Sequence, residues 1–262
     1  DFRIREPWWH LIALAACFVE LDTATWYCHS NALIVGMTLL GIAEFRDGRH
    51  LTAGMILMLA SNFKILPALF AVSLLLSFKP TYFYGLAGCG VITFFLPSLV
   101  VGLRKNLDFH QEWLQILVRD AFGPGILDIA TAFAHFHLYT AGICLRWTIL
   151  IITSGLLGLS VFRSRRILWH IWISLGLASL LLVSPRTEFP TFVLIGPAYL
   201  LLAIELRNHS SGPLRYAEIF ALCFLAYFIS LASWRLHGPA PLGPQQKTLG
   251  ALGVWILALC PL

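Results

Sequence analysis

The sequence predicts an all-α protein: a polytopic bundle of transmembrane helices with about ten membrane segments. Three observations carry that expectation. Of 262 residues, 58% are hydrophobic and only 12% charged, a balance that the water-facing surface of a domain this size does not accommodate. The charges fall in short clusters between apolar stretches of about membrane-spanning length. The runs Tyr82 to Leu103 and Trp147 to Phe162 contain no charge at all, whereas a membrane β-barrel alternates apolar and polar residues in segments of about ten. A soluble globular domain and a barrel are both excluded.

Taken in order, the apolar segments lie at 8–27, 31–44, 51–63, 66–79, 82–103, 141–162, 167–184, 189–206, 216–234 and 247–262. The first is largely apolar but carries Glu20 and Asp22 within it, and an acid inside a membrane segment is a functional candidate by default. The second starts at Asn31 and stops at the basic turn Arg46-Asp47-Gly48-Arg49. The third and fourth are each too short to cross a hydrocarbon core of about 30 Å. Between them stands Asn62-Phe63-Lys64-Ile65-Leu66-Pro67, whose proline removes a backbone donor and breaks a helix. The sixth ends at the Arg163-Ser164-Arg165-Arg166 turn, and the seventh runs into Ser184-Pro185-Arg186-Thr187-Glu188. A Pro/Gly-dominated loop, Gly238 to Pro244, precedes the last.

Whether 51–79 is one span or two decides which loops share a face. A single continuous span would bury Lys64 at mid-membrane, at a cost of at least about 2.5–3.5 kcal/mol on insertion scales. Two half-spans instead gather Arg3, Arg5, Arg46, Arg49, Lys79, the 163–166 turn, Arg207 and Arg215 on one side, which the positive-inside rule makes cytoplasmic. The broken arrangement is preferred. It places both termini in the cytoplasm and the 63–66 and 104–140 connections outside. Segment 104–140 mixes Asp108, His110, Glu112, Arg119, Asp120, Asp128, His135 and His137 with Trp113, Leu114, Leu117 and Phe122. It reads as an external interfacial helical segment. Residues 1–262 are thus expected to form a single integral membrane domain.

The formal charge of +5 comes from membrane-flanking loops, where it sets orientation; no nucleic-acid motif accompanies it. Six cysteines are scattered without CxxC or Cys/His ligand spacing, so neither a metal nor a disulfide framework is expected. The chain opens at Asp1 and enters an apolar stretch almost at once, and it reads as a piece lacking its true N-terminus. GxSxG, HExxH, P-loop and dinucleotide motifs are absent.

The chemistry-bearing residues cluster at two turns. Lys64 sits at a helix break, where freed backbone N–H groups and an ammonium can together face an anion such as a lipid phosphate. The plainer alternative is a lysine snorkelling to the headgroups. Arg186 and Glu188 lie on the same face in the preferred topology and could share that cavity, or form a solvated turn worth little. His29 and Asn31 bring polar groups to the mouth of the first two spans.

In this order, Asn31, the Arg46-Asp47-Gly48-Arg49 turn, Ala53-Gly54 opening the next span, the Lys64-x-x-Pro67 break and the later Ser184-Pro185-Arg186 turn resemble the polyprenol-phosphate-mannose-dependent mannosyltransferases of glycosyltransferase family 87. The likeness covers roughly 20–205. His29-Ser30 stands where the family usually has Gly-Gln, and the family's catalytic Asp is expected upstream of Asp1. The resemblance implies a GT-C-like architecture in a bacterial inner membrane and a polyprenyl-phosphate sugar as donor, with no cofactor. It further implies inverting transfer to a lipid or glycan acceptor, with Lys64, Arg186, Asn31, His29 and Glu188 binding substrate. The competing expectation is a non-catalytic integral subunit in a larger membrane complex, drawn from the 19 Phe, 9 Trp and 7 Tyr. A transporter is disfavoured by the scarcity of paired mid-span acids.

Overall fold

A chain this apolar must satisfy its backbone groups internally, and the helix does so within one segment. In the computed structural model, which describes residues 30–122, 128–134, 136–163, 169–184, 193–209 and 245–259, it does so throughout, with no strand among the described residues. The helices are α1 (Asn31–Arg46), α2 (His50–Phe63), α3 (Ala68–Leu75), α4 (Pro80–Phe95), α5 (Ser98–Val101) and α6 (Leu103–Phe122). They continue with α7 (Ile129–Ala134), α8 (Tyr139–Arg163), α9 (Trp169–Val183), α10 (Ile195–His209) and α11 (Gln245–Leu259).

Most expected segments within the described residues are helices close to the expected bounds, but 66–79 is helical only over Ala68–Leu75 and 189–206 is replaced by Ile195–His209; 8–27 and 216–234 lie outside the described residues. Two helices are long and apolar enough to cross a membrane: Pro80–Val101, which joins α4 and α5 through Pro97, and α8. At 1.5 Å per residue they measure about 33 and 37 Å. The other apolar helices are shorter, so among the described residues the structure shows an all-helical chain with two helices of spanning length rather than ten spans.

The described helices divide between two compact units. One comprises residues 33–124 and 154–167, and the other includes 125–153 and the chain from 168 onward.

In the first unit α2 and α4 run parallel at very close range. The face of α2 that is buried consists of Ala53, Gly54, Leu57 and Ala60, mostly small residues that let two backbones approach. A Cβ at Gly54 would stand 2.4 Å from the Tyr82 carbonyl oxygen, and one at Gly85 2.2 Å from the Leu51 oxygen. Farther along, Gly90 meets the end of Met58, and Asn62 bonds Thr93, so residue numbers rise together on both helices. The short α3 returns the chain between them, held where the Tyr82 hydroxyl donates to the Ala71 carbonyl at 2.9 Å.

Gly85→Val is therefore expected to wedge α2 from α4 and destabilise the protein by at least about 1–3 kcal/mol, the usual cost of overpacking. Gly88→Val, where a Cβ meets nothing within 4 Å, is the control. The two unfolding midpoints in detergent separate backbone crowding from a general intolerance of valine.

In the second unit α9 is the centre: every residue from Ile171 to Leu182 is buried, against α10 and α11. A helix apolar all round is what such a central position needs. Its polar side chains are satisfied, Ser174 donating to the Ala198 carbonyl of α10 at 2.7 Å. Trp255 of α11 donates its indole N–H to Thr153 Oγ1 at 2.9 Å.

Candidate functional site

The helix α2 stops where the sequence places its break. The Lys64 N–H makes the last bond of that helix, to the Ala60 carbonyl at 3.1 Å, and Lys64 then turns extended at φ −154°, ψ 135°. Pro67 precedes α3, where a missing N–H is tolerated because no intrahelical partner awaits it. Leu66 and Pro67 are buried and Lys64 is half-buried, while Phe63 and Ile65 face outward. A continuous helix over 51–79, the alternative that would invert everything downstream, does not form.

The consequence for the charges is direct. Lys79 comes back to the starting end of α2, close enough to depress the pKa of His50. The Phe78 and Phe162 rings meet at 6.3 Å, which brings Arg163, the end of α8, to that end as well. Arg46, Arg49, Lys79 and Arg163 thus collect at one end of the first unit. Arg49 is braced there by both carboxylate oxygens of Glu44, its Nη2 donating to Oε1 at 2.7 Å. Lys64 lies at the other end, about 21 Å away by the length of a 14-residue helix.

His50, beside Phe45 at a ring separation of 4.7 Å, gives this basic end a pH dependence. Burial first, then Lys79, holds its pKa below the ordinary 6.5. The unfolded chain therefore takes up a proton that the folded chain resists. Stability is whole above about pH 6.5 and falls as pH drops through the folded value. His50→Gln is expected to flatten the change in unfolding midpoint between about pH 7 and about pH 5, read in detergent at constant ionic strength.

At the Lys64 end the polar groups are tied together. Asn62 donates through Nδ2 to Thr93 Oγ1 at 2.6 Å, and that hydroxyl donates to the Cys89 carbonyl at 2.8 Å. The next residue, Phe94, offers its carbonyl to Asn106 Nδ2 at 2.8 Å, and the same amide donates to Ser98 Oγ at 2.9 Å. Asn106 is buried, so these bonds pin the first turn of α6 against the α4–α5 corner. His110 packs against Phe94 with centroids 4.2 Å apart and the rings tilted by 47°, and its Nδ1 lies 2.8 Å from the Asn106 carbonyl. Donation from Nδ1–H there leaves Nε2 as the basic nitrogen. Two amides, a hydroxyl and an imidazole are thus linked at the end of α2 and α4 where the Lys64 backbone leaves the helix. The set suits an anionic or hydroxyl-rich ligand.

Of the expected binding residues, Lys64 stands at this end. Asn31 opens α1 and is buried, in the other unit. His29, Arg186 and Glu188 lie outside the described residues. Sequence reasoning passed over Thr93, Asn106 and a buried pair elsewhere: Arg146, early in α8, donates from Nη2 to Asp128 Oδ2. Asp128 also caps α7, accepting from the Thr131 N–H at 3.0 Å and its hydroxyl at 2.7 Å. A second pair, His170 Nδ1 and Glu205 Oε2 at 2.8 Å, joins α9 to α10. A cation and an acid inside apolar segments were the available signals for Arg146 and Glu205.

The family model for glycosyltransferase family 87 matches residues 3–185, more than two thirds of the chain. The match takes in Asn31 and Lys64 and ends one residue before Arg186. No curated protein and no solved structure matches.

Proposed function

The chain belongs to glycosyltransferase family 87, and from that premise we propose that it moves a sugar, mannose by the resemblance, from a polyprenyl-phosphate donor to a lipid or glycan acceptor. The reaction takes place on the non-cytoplasmic face of a bacterial inner membrane. The observation that carries this reading is the helix break at Lys64, a half-buried ammonium at the end of the first unit opposite Arg46, Arg49, Lys79 and Arg163. By the positive-inside rule the arginine-rich end is cytoplasmic, so Lys64 is external, on the side where a lipid-linked donor presents its sugar.

The membrane itself is supported by the Pro80–Val101 helix, of whose most apolar stretch only 11% is buried. A core helix of a water-soluble protein is mostly covered; this one has the exposure of a helix facing lipid. Transfer breaks the bond between the sugar and the lipid phosphate, so negative charge grows on the departing phosphate. A fixed cation aimed at it is worth more in the transition state than in the ground state. Lys64 supplies one, and Arg186 is assigned as the second. Asn31, His29 and Glu188 are assigned to sugar or acceptor hydroxyls.

Two measurements test the reading. Full-length protein reconstituted in vesicles is expected to transfer mannose from polyprenyl-phosphate mannose to membrane acceptors; no transfer from any polyprenyl-phosphate sugar favours a structural subunit instead. In intact cells, a membrane-impermeant thiol reagent is expected to modify Gln115→Cys and to spare Ser164→Cys. The reverse pattern inverts the topology and removes the external assignment of Lys64.

A further inference from the structure

We infer that α6 docks on the lipid bilayer, lying flat on the external leaflet with one side among the acyl chains. The helix starts one residue after Val101, the end of the Pro80–Val101 helix. The single link, Gly102, takes φ +83°, a conformation that glycine adopts without penalty and that ends one helix and redirects the chain into the next. Asn106 then fastens the first turn to the Phe94 carbonyl and Ser98. Such a helix starts where a membrane-crossing helix ends, and so at the bilayer surface.

Its sequence divides lengthwise. Leu103, Leu107, Leu114 and Val118 recur at helical spacing on one side, with Trp113 flanking them, while Arg104, Asp108, Glu112, Gln115 and Arg119 form a separate stripe. The protein does not cover the apolar side: Leu103, Leu107, Leu114 and Val118 are 53%, 46%, 55% and 61% exposed. They continue the exposed apolar surface of Leu96, Leu99 and Val100 just before the corner. Contiguity with that lipid-facing surface identifies the occupant as the same bilayer rather than a second copy of the chain. Arg104, Lys105 and Arg119 are balanced by Asp108, Glu112 and Asp120. With no net charge, α6 docks through apolar insertion and has no need of anionic lipid. Because Asn106 and Thr93 connect this helix to the end of α2, docking holds the Lys64 end at headgroup depth.

The test places an environment-sensitive fluorophore on Leu114→Cys or on Glu112→Cys, in full-length protein whose native cysteines are replaced by alanine, reconstituted in phosphatidylcholine vesicles. Lipids brominated on the acyl chains are expected to quench the Leu114 label several-fold more than the Glu112 label. The ratio is expected to persist when phosphatidylglycerol is added or salt is raised. Equal strong quenching of both labels would make α6 a span, and no quenching of either would put its apolar side against protein or water; both results overturn the proposal. A ratio that appears only with phosphatidylglycerol would overturn the neutral-docking part. Leu107→Cys serves in place of Leu114→Cys if that variant does not fold. None of these readouts depends on sugar transfer, so failure here is distinguishable from failure of the transferase reading.

Discussion

Lys64→Ala is expected to lower sugar transfer from a polyprenyl-phosphate donor by about 10²–10³-fold, the loss of about 2.7–4 kcal/mol that follows removal of one contact to a developing anion. The fall is expected mainly in kcat, because the phosphate gains charge as the glycosidic bond breaks. Lys64→Arg keeps the charge and is expected to retain part of the rate, although a planar guanidinium does not reproduce a compact ammonium at a half-buried turn. Lys105→Ala removes an exposed cation from α6 and is expected to leave transfer nearly unchanged. A steady-state assay of the three variants in vesicles, with folding checked by size exclusion, reads the result. Near-normal kcat in Lys64→Ala would remove the assigned role.

Asp128→Ala is expected to have the largest effect on stability, about 3–5 kcal/mol. Asp128 and Arg146 are both buried, and withdrawing the carboxylate leaves the guanidinium without it in a low-dielectric interior. The substitution also removes the cap of α7, where Asp128 accepts from the Thr131 N–H. Asp128→Leu combined with Arg146→Met is expected to recover much of the loss, because a buried ion pair gains little over well-packed apolar side chains. Unfolding midpoints of both singles and the double complete the cycle. A double variant no better than Asp128→Ala would show that the pair has a role that apolar packing cannot replace.

Much of this was readable before any coordinates. The break at Lys64 was legible because Pro67 cannot donate to a helix and because the apolar runs on either side are too short to span. The amphipathic α6 was legible from acids and bases interleaved with Trp113, Leu114 and Leu117. The parallel seam of α2 and α4 was not. Gly54 and Gly85 sit in apolar runs where glycine is common in membrane helices, and nothing in the sequence says which glycine faces which. The pairs Asp128 with Arg146 and His170 with Glu205 were equally hidden. Arg146 and Glu205 each interrupt an apolar segment, but their partners lie 18 and 35 residues away, and nothing in the sequence says which residue each one meets.

The seam of α2 and α4 also bears on how the chain enters a membrane. With 14 residues, α2 is too short to settle across a bilayer by its own hydrophobicity, whereas the Pro80–Val101 helix has the length to do so. The glycine contacts that hold α2 in place exist only once residues 82–93 have been synthesised. In the membrane setting proposed above, α2 would therefore be held at its final depth only by a partner made later. A side chain at position 85, which would crowd the Leu51 backbone, would then leave α2 without the partner that keeps it there.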